Sequence, residues 1–141
     1  MKRSAKAQWK GDIKGGKGTI STDSGVLSDT QYSFSTRFES GIGSNPEELI
    51  AAAHAGCFSM ALSGFLGSAG QAPTRIDTKA TVTLEKADLG FAITGVHLDV
   101  TAEVPGMDEA TFQGAAKQAK EGCPVSQVLN ATITMDARLA S

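Results

Sequence analysis

Cys57 and Cys123 are the two cysteines of this 141-residue chain, and they are the natural place to look for chemistry. Cys57 stands in Ala55-Gly56-Cys57-Phe58, inside a long apolar stretch. Taken alone, such a cysteine reads as a small buried hydrophobe. Cys123 stands in Gly122-Cys123-Pro124, where a helix should stop. Two thiols in a reducing compartment can couple reversibly, but sequence spacing does not show that they meet. A reactive cysteine needs its thiolate stabilised. Cys57 lies too deep in its predicted helix to feel much of the positive field at the helix start, so a cation must come from elsewhere. Arg37 is one candidate; the alternative is an ordinary exposed arginine. His54 precedes Cys57 by three residues and so shares its helix face. A Cys–His pair can support nucleophilic chemistry, whereas the plainer reading is a histidine packed at an interface or bonded to backbone. His97 falls in a predicted strand without an evident partner. Four zinc ligands at familiar spacings are missing.

The elements that must position these residues follow from local pattern. Gly15, Gly16 and Gly18 predict a turn, and Gly25 another. Tyr32, Phe34, Thr36 and Phe38 alternate with Ser33, Ser35, Arg37 and Glu39, which predicts a strand with an aromatic face and a polar face carrying Arg37. Asn45-Pro46-Glu47-Glu48 is a helix start: an N-cap, a proline suited to the first turn, and two acids at the positive end. The helix should run from Pro46 to about Leu66 and be buried. Ile76, Ala80, Val82 and Leu84 predict a strand. Asp88-Leu89-Gly90 turns it into a second, from about Phe91 to Val104, with a change of parity near Gly95 that suggests a bulge. Asp108 caps a shorter helix to about Glu121 with Phe112, Ala115, Ala116 and Ala119 on one side. Ile133, Met135, Ala137 and Leu139 predict a last strand. Helices do not alternate regularly with strands, so the class is α+β rather than a doubly wound parallel sheet.

Length suits a single domain over residues 1–141. The small side chains leave room for a second subunit to complete the core. Net charge is -2, which offers no electrostatic footprint for nucleic acid. Lys2 and Arg3 are followed by no apolar run of the signal-peptide kind, and the expected location is cytoplasmic. Residues 49–70 have the length of a membrane span. They are diluted by Ala, Gly and Ser, carry His54 and lack flanking Lys or Arg, so no membrane role is expected.

The stretch Asn45-Pro46-Glu47-Glu48-Leu49, followed by residues 51–61 (Ala-Ala-Ala-His-Ala-Gly-Cys-Phe-Ser-Met-Ala), resembles the signature helix of the osmotically inducible protein C family (OsmC), relatives of the organic hydroperoxide resistance proteins (Ohr). Gly122-Cys123-Pro124-Val125-Ser126 resembles the family's second signature. Trp9-Lys10-Gly11-Asp12, Gly18-Thr19 and Ser24-Gly25 also fit. His54, where the Ohr branch usually carries an aromatic, favours the OsmC branch. The resemblance implies an OsmC-like α+β fold in an intertwined homodimer and a thiol peroxidase for organic hydroperoxides, with inorganic ones as further candidates, in osmotic and oxidative stress defence. It implies Cys57 as peroxidatic thiolate, Cys123 as resolving thiol, Arg37 as thiolate partner and Glu47 as orienter of that arginine. An external dithiol would reset the enzyme, with no metal or bound cofactor. Phe38, Phe58, Met60 and Phe112 are candidates for an apolar substrate rim, with core packing as the alternative.

Spacing adds one expectation about the dimer. Glu47 and Cys57 on one straight helix are about 15 Å apart along its axis and differ by about 80° around it. An arginine bridging both within one helix is strained, so Arg37 and Glu47 of one subunit are expected to serve the cysteines of the other. Two other classes compete: a Cys–His acyl or thiol transferase using His54, and a non-catalytic binding domain.

Overall fold

The computed structural model describes residues 1–140. They form two compact units, residues 1–49 and residues 50 onward.

The first unit is a small sheet followed by a short helix. Strands β1 (Ala5–Lys10), β2 (Lys17–Thr22) and β3 (Thr30–Tyr32) pair antiparallel in that order. Trp9 faces Gly18 across the first pair, and Gly18 faces Tyr32 across the second. Gly18 therefore lies inside a strand, not in the expected turn. A Cβ there would run into the Tyr32 ring, so glycine is what leaves room for the ring against the strand. Gly25 makes its turn at φ +78.

The strand expected through residue 38 is corrected by the structure. Only Thr30–Tyr32 is extended, and Phe34–Phe38 forms a short helix, α1. The reason is local. Ser33 accepts the Thr36 N–H at 3.3 Å, and the Thr36 hydroxyl accepts the Ser33 N–H at 2.8 Å. This reciprocal box satisfies two amides that would otherwise have no partner at a helix start, and it outweighs the two-residue alternation. Asn45 then ties α1 to the next helix. Its amide donates to Thr36 O at 3.2 Å while its carbonyl oxygen accepts the Glu48 N–H at 2.8 Å.

Helix α2 runs Pro46–Ser68, starting at the expected cap. In the second unit it buries one stripe, His54, Phe58, Leu62 and Leu66, at the four-residue spacing of a single helix face. The expected burial is confined to this stripe within the single chain: Ala52, Ala53, Gly56, Met60, Ser63 and Gly64 are exposed. By length and composition α2 could cross a membrane. Here its stripe packs in the same core as Val96, Leu98, Val100, Phe112 and Ala116.

That core sits on a sheet of β4 (Arg75–Ala87), β5 (Gly90–Glu103) and β6 (Thr132–Ala140). Strands β4 and β5 make an antiparallel hairpin whose register shifts where Thr83 opposes Gly95 and Leu84 opposes Ile93, which is the expected bulge. Along β5, Val96, Leu98, Val100 and Ala102 are buried while the residues between them are half-exposed. Strand β6 joins β5 in parallel, because α3 (Glu109–Gly122) and α4 (Pro124–Val128) carry the chain back between them. Asp108 caps α3 by accepting the Thr111 N–H at 2.8 Å. Cys123 is at once the residue ending α3 and the residue preceding α4. Pro124 stops the first helix and suits the first position of the second.

Candidate active site

In the second unit the two cysteines meet. Cys123 Sγ donates to Cys57 Sγ at 2.9 Å, although 66 residues separate them, and both thiols are free. Two helices set this approach. Cys57 lies on the α2 turn that carries Phe58 into the core. Cys123 is held where α3, docked through Phe112, Ala115, Ala116 and Ala119, gives way to α4. The two thiols differ in access: Cys57 is half-buried, whereas Cys123 is 0% exposed.

The electrostatics within this unit hold Cys57 protonated. Burial pushes its thiol pKa up, and the hydrogen bond from Cys123 pushes it further; a backbone hydrogen bond from Val125 acts the other way. None of these influences is a cation, so the thiolate stabilisation a nucleophile requires has to come from another group.

His54 lies one turn before Cys57 on α2 and is fully buried. Its Nε2 is 2.7 Å from the Ser126 hydroxyl, on α4, while Nδ1 has no hydrogen-bond partner among the described residues. Burial lowers its pKa, so the ring is neutral at pH 7. His97 lies on β5, where Nε2 is 3.2 Å from Asp136 and Nδ1 is 2.7 Å from the Thr134 hydroxyl.

The first unit holds the other two candidates, also as a pair. Arg37 Nε donates to Glu47 Oε1 and Oε2 at 3.1 and 3.3 Å, and Nη2 donates to Oε1 at 2.9 Å. Such a fork fixes the guanidinium plane, which a single contact would not. The Glu47 side chain is 12% exposed and that of Arg37 38%. The guanidinium carbon also lies 5.1 Å from the centre of the Phe38 ring, and the Phe38 ring packs against Phe34 at 4.9 Å between centroids with a 44° tilt. Arg37, Phe34, Phe38, Trp9, Tyr32 and Ile13 line a concavity of about 200 Å³.

The structure thus brings Cys57 to Cys123 and Arg37 to Glu47, each pair within its own unit. Arg37 comes from a helix rather than the strand expected. Of the candidate rim residues, Phe58 and Phe112 are 0% exposed and belong to the core, because each lies on the inward stripe of its helix. Met60 is exposed and Phe38 half-buried. Sequence reasoning missed Phe34, Trp9 and Tyr32 as neighbours of Arg37, and it missed Ser126. The signal for Ser126 was its spacing of three from Cys123, matching that of His54 from Cys57. Among the described residues no group of three His, Cys, Asp or Glu side chains could hold a metal.

Comparison with known proteins places this arrangement. The family model described as OsmC-like protein matches residues 39–138, a span that holds both cysteines and Glu47. The chain is 60% identical over 139 residues to Peroxiredoxin OsmC of Escherichia coli, covering 99% of this chain and 97% of that protein. It is 31% identical over 101 residues to the organic hydroperoxide resistance protein of Xanthomonas axonopodis pv. citri, covering 71% and 69% of the two. The crystal structure of the organic hydroperoxide resistance protein OhrB of Bacillus subtilis matches with a TM-score of 0.69 at 25% identity, over 95% of this chain and 97% of that one. With the family model spanning most of the chain and a relative this similar along nearly its full length, the chain belongs to the OsmC-like protein family.

Proposed function

We propose that this protein is a two-cysteine peroxidase that reduces organic, and also inorganic, hydroperoxides in the cytoplasm during oxidative and osmotic stress. The single observation that carries the reading is the 2.9 Å approach of Cys123 to a more accessible Cys57. A peroxide has to reach the attacking sulfur, whereas a resolving thiol has only to reach its partner. The activities named for the relatives, a peroxiredoxin and hydroperoxide resistance proteins, agree with it.

The Cys57 thiolate attacks the distal peroxide oxygen and the O–O bond breaks. Cys57 becomes a sulfenic acid, and the departing alkoxide takes up a proton to leave as alcohol. The Cys123 thiol then attacks the sulfenic sulfur, forming the Cys57–Cys123 disulfide and releasing water. An external dithiol reduces that disulfide by exchange and leaves as its own disulfide. Arg37, oriented by Glu47, supplies the cation that favours the thiolate and stabilises the departing oxygen. Its aromatic surroundings suit the alkyl part of an organic peroxide. No metal or bound cofactor takes part. In a homodimer, Arg37 and Glu47 of one subunit serve the cysteines of the other.

Replacing Cys123 tests the scheme. Cys123→Ser should consume peroxide once per chain, stop at sulfenic or sulfinic acid, and fail to cycle with a dithiol. Full turnover of that variant would remove Cys123 from the mechanism.

A further inference from the structure

The two contacts between α2 and α4 run in step. Cys57 meets Cys123 at 2.9 Å and His54 meets Ser126 at 2.7 Å. His54 is three residues before Cys57, and Ser126 is three residues after Cys123, so the second contact lies one helical turn from the first, with the chains running opposite ways. Helix α4 has five residues, too few to be stable alone, and Cys123 is the non-helical joint in front of it. On the α3 side the joint is held by a buried face of four residues. On the α4 side no residue is fully buried, and the half-buried Val125 and Leu129 pack against the core. The hydrogen bond between His54 and Ser126 joins a ring that is 0% exposed to a half-buried hydroxyl. A hydrogen bond to a buried ring is directional and is strengthened by the low local dielectric.

We infer that the His54–Ser126 hydrogen bond is a positioning device for the resolving step: it pins α4 to α2 so that Cys123 stays within reach of Cys57 once Cys57 has become a sulfenic acid. The inference rests on the two-cysteine reading above and gives His54 and Ser126 a role in it. Neither residue touches peroxide, and the first chemical step does not depend on them. Without the pin, Cys123 samples positions away from the sulfenic sulfur, and the sulfenic acid persists. A second peroxide molecule then oxidises it to sulfinic acid, itself leaving as alcohol.

The test separates the two steps in Ser126→Ala, a change of one oxygen atom at a half-buried site. Wild type, Ser126→Ala and Ser126→Thr are each mixed with one equivalent of cumene hydroperoxide. Peroxide loss is followed directly, and Cys57 sulfenic acid is trapped with dimedone against time and quantified by mass spectrometry. Ser126→Ala should consume peroxide at the wild-type rate yet close the disulfide about tenfold more slowly, the scale expected of a misplaced reacting group. It should also accumulate sulfinic acid under excess peroxide. Ser126→Thr, which keeps the hydroxyl, should restore resolution. A general loss of folding would slow both steps together and would not be reversed selectively by threonine. If Ser126→Ala closes the disulfide as fast as wild type, the positioning role is wrong while the peroxidase reading stands. If wild type itself forms no disulfide, both fall.

Discussion

At the scale of single residues the question is what would make Cys57 the nucleophile proposed for it. Its own unit works against ionisation, since burial and the Cys123 hydrogen bond both raise its pKa. The proposed remedy is Arg37, held by three hydrogen bonds to Glu47. Removing a cation from beside a thiolate raises the thiol pKa, so Arg37→Ala should move the Cys57 alkylation profile to higher pH. It should slow peroxide reduction by about 100-fold, on the scale of losing one preorganised charge-stabilising donor. Folding should change far less than the rate: Arg37 is 38% exposed, so the ion pair itself contributes about 1 kcal/mol, and the loss of Glu47's partner adds a modest cost because that carboxylate is 12% exposed. Arg37→Lys should not restore the rate, since an ammonium cannot keep the two-pronged contact with Glu47. An alkylation profile that does not move in Arg37→Ala would remove it from the site. Cys57 and Cys123 were legible in the sequence as residue types and motifs. Their meeting was not, because it depends on a joint between two helices that no local pattern reports.

At the scale of elements, most of the fold was readable, and the exceptions have physical causes. The caps at Asn45 and Asp108, the bulge near Gly95 and the stop at Gly122-Cys123-Pro124 are short-range signals, and each stands where local chemistry put it. Residues 33–38 misled because their alternation fits a strand while Ser33 and Thr36 form a helix-start box. Two such hydrogen bonds settle a five-residue segment that no packing stripe can decide. The parallel pairing of β6 with β5 is a matter of how α3 and α4 return the chain, which composition does not encode. The box matters for the site because α1 carries Arg37. Ser33→Ala should cost about 1 kcal/mol, as for other lost N-caps. It should also lower peroxide reduction more than that loss explains, since a helix this short needs its cap to hold Arg37 against Glu47. Thermal unfolding and steady-state rates measured together check this; activity that merely tracks the folded fraction would contradict it.

At the scale of the whole molecule, the candidate groups fall into two compact units, Arg37 and Glu47 in one and Cys57 and Cys123 in the other. Family membership was legible from the two cysteine signatures, and the α+β class from the order of elements. Sharing of a site between subunits is an argument from helix geometry, because one straight helix cannot present Glu47 and Cys57 to the same arginine without strain. Mixing Arg37→Ala with Cys57→Ser under subunit exchange should regenerate one complete site per heterodimer and restore activity, whereas a site within one chain leaves the mixture inactive. The central claim, that the two thiols act in sequence on a peroxide, is tested most directly by counting free thiols before and after one equivalent of cumene hydroperoxide and mapping the product by mass spectrometry. The account predicts rapid loss of both thiols, one molecule of alcohol formed per chain, and a peptide linked through Cys57 and Cys123. Retention of both thiols while the peroxide goes unreduced, or a linkage between chains instead of within one, would contradict it.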